Sequence, residues 1–138
     1  MCEVRIKIKG KQTDENGKED IIELLTEGKF YKKRDIYYIV YEETEISGME
    51  GTTTTLKIEG DKVSMKRFGS NTSDMVFEKG KRFNTYYMTP YGNLDMEILT
   101  NKMAIDISDT GKGNIELGYR VNISNSIESN NELLINVM

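Results

Sequence analysis

A chain of 138 residues with 37% apolar side chains can bury one hydrophobic core but not two full-sized ones, so residues 1–138 are read as one domain. Its 19 basic and 23 acidic residues leave a net charge of −4, a balance with no global field for nucleic acid or anionic lipid. Histidine is absent and Cys2 is the only cysteine, which excludes, within one chain, disulfides, Cys/His zinc sites and catalysis by Ser-His or Cys-His pairs. No apolar run approaches the ~18 residues of a membrane span. Met1 to Gly10 alternates charge with aliphatics where a signal peptide needs an unbroken apolar stretch, so the expected location is the cytoplasm.

In chain order, the first element reads as a strand over 3–12, with Val4, Ile6 and Ile8 alternating against Arg5, Lys7 and Lys9. The second is ambiguous. Glu19 to Leu25 sets Ile21, Ile22, Leu24 and Leu25 at helical spacing, with acids in the first turn and Gly28 where a cap could sit. A strand over 20–32 and a short helix over 19–27 both fit. Strand alternation resumes over 35–44, where Tyr37, Ile39, Tyr41 and Glu43 share one parity.

The hairpin over 51–68 is the sharpest local expectation. Gly60-Asp61 suits a two-residue type II′ turn with glycine first, which pairs Glu59 with Lys62, Ile58 with Val63, Leu56 with Met65 and Thr54 with Arg67. Thr52, Thr54, Leu56, Ile58, Val63, Met65 and Arg67 then share one face, and the arginine points inward. A fixed charge there needs a partner or a ligand.

Further strands are expected near 74–78, 81–89, 93–100, 104–108 and 114–124, with a tail strand at 132–138. Leu94, Met96 and Ile98, then Ile115 through Ile123 by twos, including Tyr119, carry the same alternation. Turn glycines at 51, 60, 69, 80 and 92 fall at intervals of 9, 9, 11 and 12 residues, the spacing of an antiparallel sandwich or barrel. Tyr87, Thr89 and Tyr91 alternate into a Pro90-Gly92 turn expected to close one end. The fold class read from these runs is all-β: a single antiparallel up-and-down barrel of about 8–10 strands, closed because closure removes exposed edges.

The candidate chemistries are thin. Asp14-x-Asn16-x-Lys18 fails as a calcium loop, with Glu19 where glycine is needed and Leu25 at the last ligand position. Glu42, Glu43, Glu45, Glu50, Asp95 and Glu97 include no matched acid and base; all but Glu43 read as solvated. The basic-aromatic runs 29–34 and 79–83 read as strand ends whose lysines protect β edges rather than as single-strand binders. No catalytic constellation, metal site or cofactor fingerprint emerges, and the chain is not read as an enzyme.

The ordered set Tyr41-Glu42-Glu43, Gly51 through Ile58, Val63-x-Met65-x-Arg67-x-Gly69, Tyr87-x-Thr89-Pro90-Tyr91-Gly92 and Thr100 resembles the YwiB-like family of small uncharacterised bacterial proteins. The resemblance spans essentially the whole chain. It implies a calycin barrel, similar to the lipocalins and fatty-acid-binding proteins, and a strand rather than a helix over 20–32. No activity, cofactor or catalytic residue comes with it. Two functions are compatible with such a barrel. One is a binding module that encloses a small apolar or amphipathic, anionic ligand, with Arg67, Thr52, Thr54, Glu43, Tyr87 and Tyr119 as the candidate site. The other is a filled structural barrel latched internally by Arg67 and Glu43.

Overall fold

A computed structural model describes residues 2–43, 50–69, 72–89 and 91–138, with the backbone alone given at Tyr87 and Thr89. Its ten strands are β1 (Cys2–Asp14), β2 (Glu19–Lys33), β3 (Ile36–Glu42), β4 (Thr52–Glu59), β5 (Lys62–Gly69), β6 (Ser73–Glu78), β7 (Arg82–Thr89), β8 (Gly92–Ile107), β9 (Gly113–Ile123) and β10 (Ile127–Val137). All neighbouring strands pair antiparallel, in the order β6-β5-β4-β3-β2-β1-β10-β9-β8-β7, and the sheet rolls into a nearly closed barrel. Among the described residues there is no helix, so none is long and apolar enough to cross a membrane.

Strand order follows the chain twice, from β1 to β6 and from β7 to β10. The halves are joined by β1 against β10, which pair from Ile6↔Val137 to Asp14↔Ser129. An up-and-down barrel is simplest when its first and last strands close the ring. Here those strands lie mid-sheet, and among the described residues no ladder joins β6 to β7.

The ambiguous second segment is a strand. Twelve residue pairs hold it to β1, from Cys2↔Phe30 to Thr13↔Glu19. Of its helix-spaced apolar residues only Leu24 is buried, while Ile21 and Leu25 lie on the outer face at 56% and 62% exposure. A single rolled sheet offers no second layer to cover a helical stripe, so pairing decides against local periodicity.

Two expected strands, 93–100 and 104–108, are one strand, because a register shift between Thr100 and Lys102 lets β8 bend without breaking. The tail strand begins earlier than its apolar run, at Ile127. There Glu128, Ser129 and Asn130 pair with Asn122, Val121 and Arg120, contacts that hydrophobicity does not reveal.

The β4–β5 hairpin has the expected register throughout, including Ile58↔Val63 and Thr54↔Arg67. Gly60 takes φ 59° while Asp61 stays out of the left-handed region, as a type II′ turn requires. Burial alternates residue by residue along β4. The core consists of the inward residues, among them the fully buried Ile6, Ile39, Leu56, Val63, Phe77 and Ile98.

One end of this interior is capped. The β8–β9 loop folds over it, burying Gly111 at φ 87° against the Phe30 ring. Asp109 accepts hydrogen bonds from Tyr37 Oη (2.5 Å) and Lys32 Nζ (3.2 Å). These two donors hold the Asp109 carboxyl below its ordinary pKa. The Asp14 loop is stabilised by its own backbone, Asn16 N and Lys18 N both donating to Asp14 Oδ1 at 2.9 Å.

Candidate functional site

Toward the opposite end the interior turns polar. Thr54, on β4, faces Tyr41 on one side and Arg67 on the other, so strand pairing alone brings three polar side chains abreast. Glu43 immediately follows β3, two residues past Tyr41, and its backbone N–H donates to Thr52 O at 2.8 Å. This continues the ladder and keeps the carboxylate on the inward face.

The Glu43 side chain is 2% exposed. Thr54 Oγ1 donates to Glu43 Oε1 at 2.6 Å, and Arg67 Nε lies 3.7 Å from the same oxygen. That separation is an ion pair but exceeds hydrogen-bonding range, which ends near ~3.2 Å for N–H···O. Arg67 Nε is buried and has no hydrogen-bond partner among the described residues. The arginine side chain remains 21% exposed, so its charge is shared between Glu43 and the space beyond.

That space is a cavity of about 220 Å³, with Leu24, Tyr41, Met65, Arg67 and Tyr119 among its walls and Glu43 at its side. Gln12, Asp20 and Ile22 also line it. They share the inward face of the β1–β2 ladder with Ile8, Gly10 and Leu24, yet all three are exposed. Solvent therefore reaches the interior past them. Burial, with the Glu43 charge adding to it, pushes the Tyr41 phenol well above its ordinary pKa. Burial also raises Tyr119, against the opposing pull of the Arg67 charge. Both phenols are therefore neutral donors at physiological pH.

The structure brings Arg67, Glu43 and Tyr119 to this cavity. Thr54 stands behind Glu43 with its proton committed to the carboxylate, and Thr52 is buried further along β4; neither lines the cavity. The side chains of Tyr87 and Thr89, with Pro90 of the expected end-closing turn, lie outside the described residues, as does Glu45. Sequence reasoning missed Gln12 and Asp20, which pair across the β1–β2 ladder, and Asn131 and Leu133, which reach the cavity because β10 pairs with β1. Tyr41 carried a readable signal, its shared parity with Glu43. Thr100, fully buried with its hydroxyl unpartnered, faces Tyr119 across the β8–β9 ladder.

A larger groove of about 800 Å³ runs along Glu3, Arg5, Glu27, Lys29 and Glu42. These side chains are exposed and of both signs, and the groove is solvated surface. Among the described residues, no group of three or more Cys, Asp or Glu could hold a metal ion.

A nearly closed barrel of ten antiparallel strands, with a buried carboxylate and an arginine facing a small cavity, defines a small all-β barrel protein. The chain belongs to the family described as "Domain of unknown function (DUF1934)", whose model matches residues 6–135. It is similar to the uncharacterised beta-barrel protein YwiB of Bacillus subtilis (strain 168), at 25% identity over 116 residues, 83% of this chain and 79% of that protein. The crystal structure of the ywiB protein from Bacillus subtilis matches 97% of this chain and 92% of its own with a TM-score of 0.77. At 23% identity, that likeness shows the shared fold alone.

Proposed function

We propose that the barrel is a binding module whose interior takes a small amphipathic anion, with its charged end at Arg67 and its apolar part against Leu24, Met65 and the tyrosine rings. The observation that carries this reading is the arginine itself: a buried Nε without a hydrogen-bond partner, on the wall of a cavity that solvent reaches. A guanidinium committed to a purely internal latch would place its donors on protein oxygens at ~2.7–2.9 Å. A volume of about 220 Å³ lies below the ~300–1,000 Å³ of sites for drug-sized compounds, so the ligand is a short-chain or single-ring acid. Tyr119 and Tyr41 supply neutral donors, and Glu43 with Thr54 positions the arginine.

A second reading is supported by the Glu43 pair, in which Arg67 and Glu43 serve stability only. Native mass spectrometry of protein purified from its own host, paired with unfolding of the empty protein, separates the two. The binding reading expects a co-purifying acid in the wild type and none in Arg67→Met, with the empty variant nearly as stable as wild type. The latch expects no ligand in either, losses in both Arg67→Met and Glu43→Gln, and partial recovery in the double variant. Those losses would fall below the ~3–5 kcal/mol typical of a broken buried pair, since the arginine keeps contact with water.

A further inference from the structure

We propose that the acid bound at Arg67 carries a second, cationic end, an ammonium group that Asp20 and Asn131 hold at the mouth of the cavity. The ligand class is then a small amino acid with an aliphatic chain or one ring between its two charges. This inference rests on the binding reading above and adds the outer half of the ligand to it. Arg67, Asp20 and Asn131 are walls of the same cavity of about 220 Å³.

Charge balance carries the first part of the argument. Arg67 and Glu43 already sum to zero at the inner end of the cavity. A bound carboxylate alone would leave one uncompensated negative charge beside the buried Glu43, which a poorly hydrated interior resists. The mouth does not supply the missing cation. Lys11 borders it, but the alternation of β1 turns that side chain to the outer face, where Nζ lies 3.3 Å from Glu19 Oε1. Asp20 has the inward parity instead, and it makes no ion pair or hydrogen bond among the described residues. A simple anion would pass one carboxylate at the mouth and come to rest beside another. A ligand with its own ammonium group leaves the balance unchanged and gives Asp20 a partner.

Hydrogen-bond polarity points the same way. Strand pairing sets Asp20 beside Gln12, Gln12 beside Asn131 and Asn131 beside Tyr119, one inward row of polar side chains across four strands. The row runs from the mouth to Tyr119, whose phenol feels the Arg67 charge. Within it, Asn131 donates through Nδ2 to Ser129 Oγ at 3.1 Å and to Ser129 O at 3.4 Å. Its amide donors are thereby committed, and Oδ1 remains as an acceptor. Together with the Asp20 carboxylate it makes the outer part of the cavity a place for donors, and an ammonium group carries three.

Calorimetric titration with matched probes tests the assignment, each pair differing by an ammonium group in place of a methyl group: ω-aminobutanoate with pentanoate, ω-aminopentanoate with hexanoate, and para-aminomethylbenzoate with para-ethylbenzoate. In at least one pair the amino acid should bind at least ~fivefold more tightly than its methyl-ended counterpart at low salt. Asp20→Asn, at an exposed position, should keep the wild-type circular dichroism. It should reduce that ratio at least ~threefold while the methyl-ended acid binds no more weakly than before. Arg67→Met should lose both members of the pair. Methyl-ended acids that bind as tightly as the amino acids overturn the inference and leave the binding reading standing. So does a preference for the amino acid that survives Asp20→Asn intact. Binding of neither member of any pair to the wild type, or undiminished binding to Arg67→Met, overturns the binding reading and this inference with it.

Discussion

At the scale of single residues the chemistry turns on what each polar group inside the barrel already has as a partner. Glu43 holds a hydrogen bond from Thr54 and an ion pair with Arg67, whereas Arg67 Nε and Thr100 Oγ1 have no hydrogen-bond partner among the described residues. Tyr41 sits against the acid, and its raised pKa makes a signed prediction. A phenol whose folded pKa exceeds its unfolded value near 10 contributes stability that is complete below that pH and is lost as pH rises through the folded value. The wild-type melting temperature should therefore fall between about pH 10 and pH 12, and Tyr41→Phe should flatten that fall. An unchanged slope in the variant would show that Tyr41 ionises as freely in the native protein as in the unfolded chain. The inward direction of Arg67 was legible in the sequence because one turn, Gly60-Asp61, fixes a whole hairpin register and its parity. Its contact with Glu43 was legible as a shared parity. The cavity was not, because its far wall of Gln12 and Asn131 depends on two strands from opposite ends of the chain.

Among the elements, period-two alternation was a sufficient guide wherever one face is buried, as along β4. It failed where pairing rather than burial sets the structure: β2, whose apolar residues lie partly outside the barrel, and the first half of β10, whose residues are mostly polar. The β8–β9 loop shows how an element boundary is fixed by packing as well as by backbone angle. Gly111 and Gly17 have similar angles, φ 87° and 80°, but a Cβ at Gly111 would enter the Phe30 ring while one at Gly17 would meet nothing within 4 Å. Gly17→Ala should cost only the left-handed backbone term, about 1–2 kcal/mol. Gly111→Ala should add an overpacking term of roughly 1–3 kcal/mol as the cap moves off Phe30. Equal losses in the two variants, read by urea denaturation, would show that the loop does not bear on Phe30.

Across the whole molecule, the sheet is filled and capped at one end and reached by solvent at the other. It is completed by a pairing between residues more than a hundred positions apart, Ile6 with Val137 and Asp14 with Ser129. Closing that distance is entropically costly and comes before most of the reward from the core, so the wild-type topology is intrinsically slow to fold. The first and last strands already meet near the chain ends, with Met138 N donating to Arg5 O at 2.8 Å, while among the described residues β6 and β7 share no ladder. A circular permutant that joins the termini by a short linker and opens the chain within 79–81 would run β7-β8-β9-β10-β1-β2-β3-β4-β5-β6. Every paired strand would then follow its partner directly in sequence. The opening puts at risk the turn bond Lys81 N to Glu78 O and the pair Gly80 N to Thr100 O and Thr100 N to Lys81 O that ties the turn to β8, but no strand ladder. The permutant should keep the wild-type circular dichroism and fold faster in stopped-flow refolding, because the long closure has become a hairpin. Refolding no faster than wild type would mean that the β1–β10 pairing forms after the rate-limiting step, with the two halves of the sheet rolling up independently before they join.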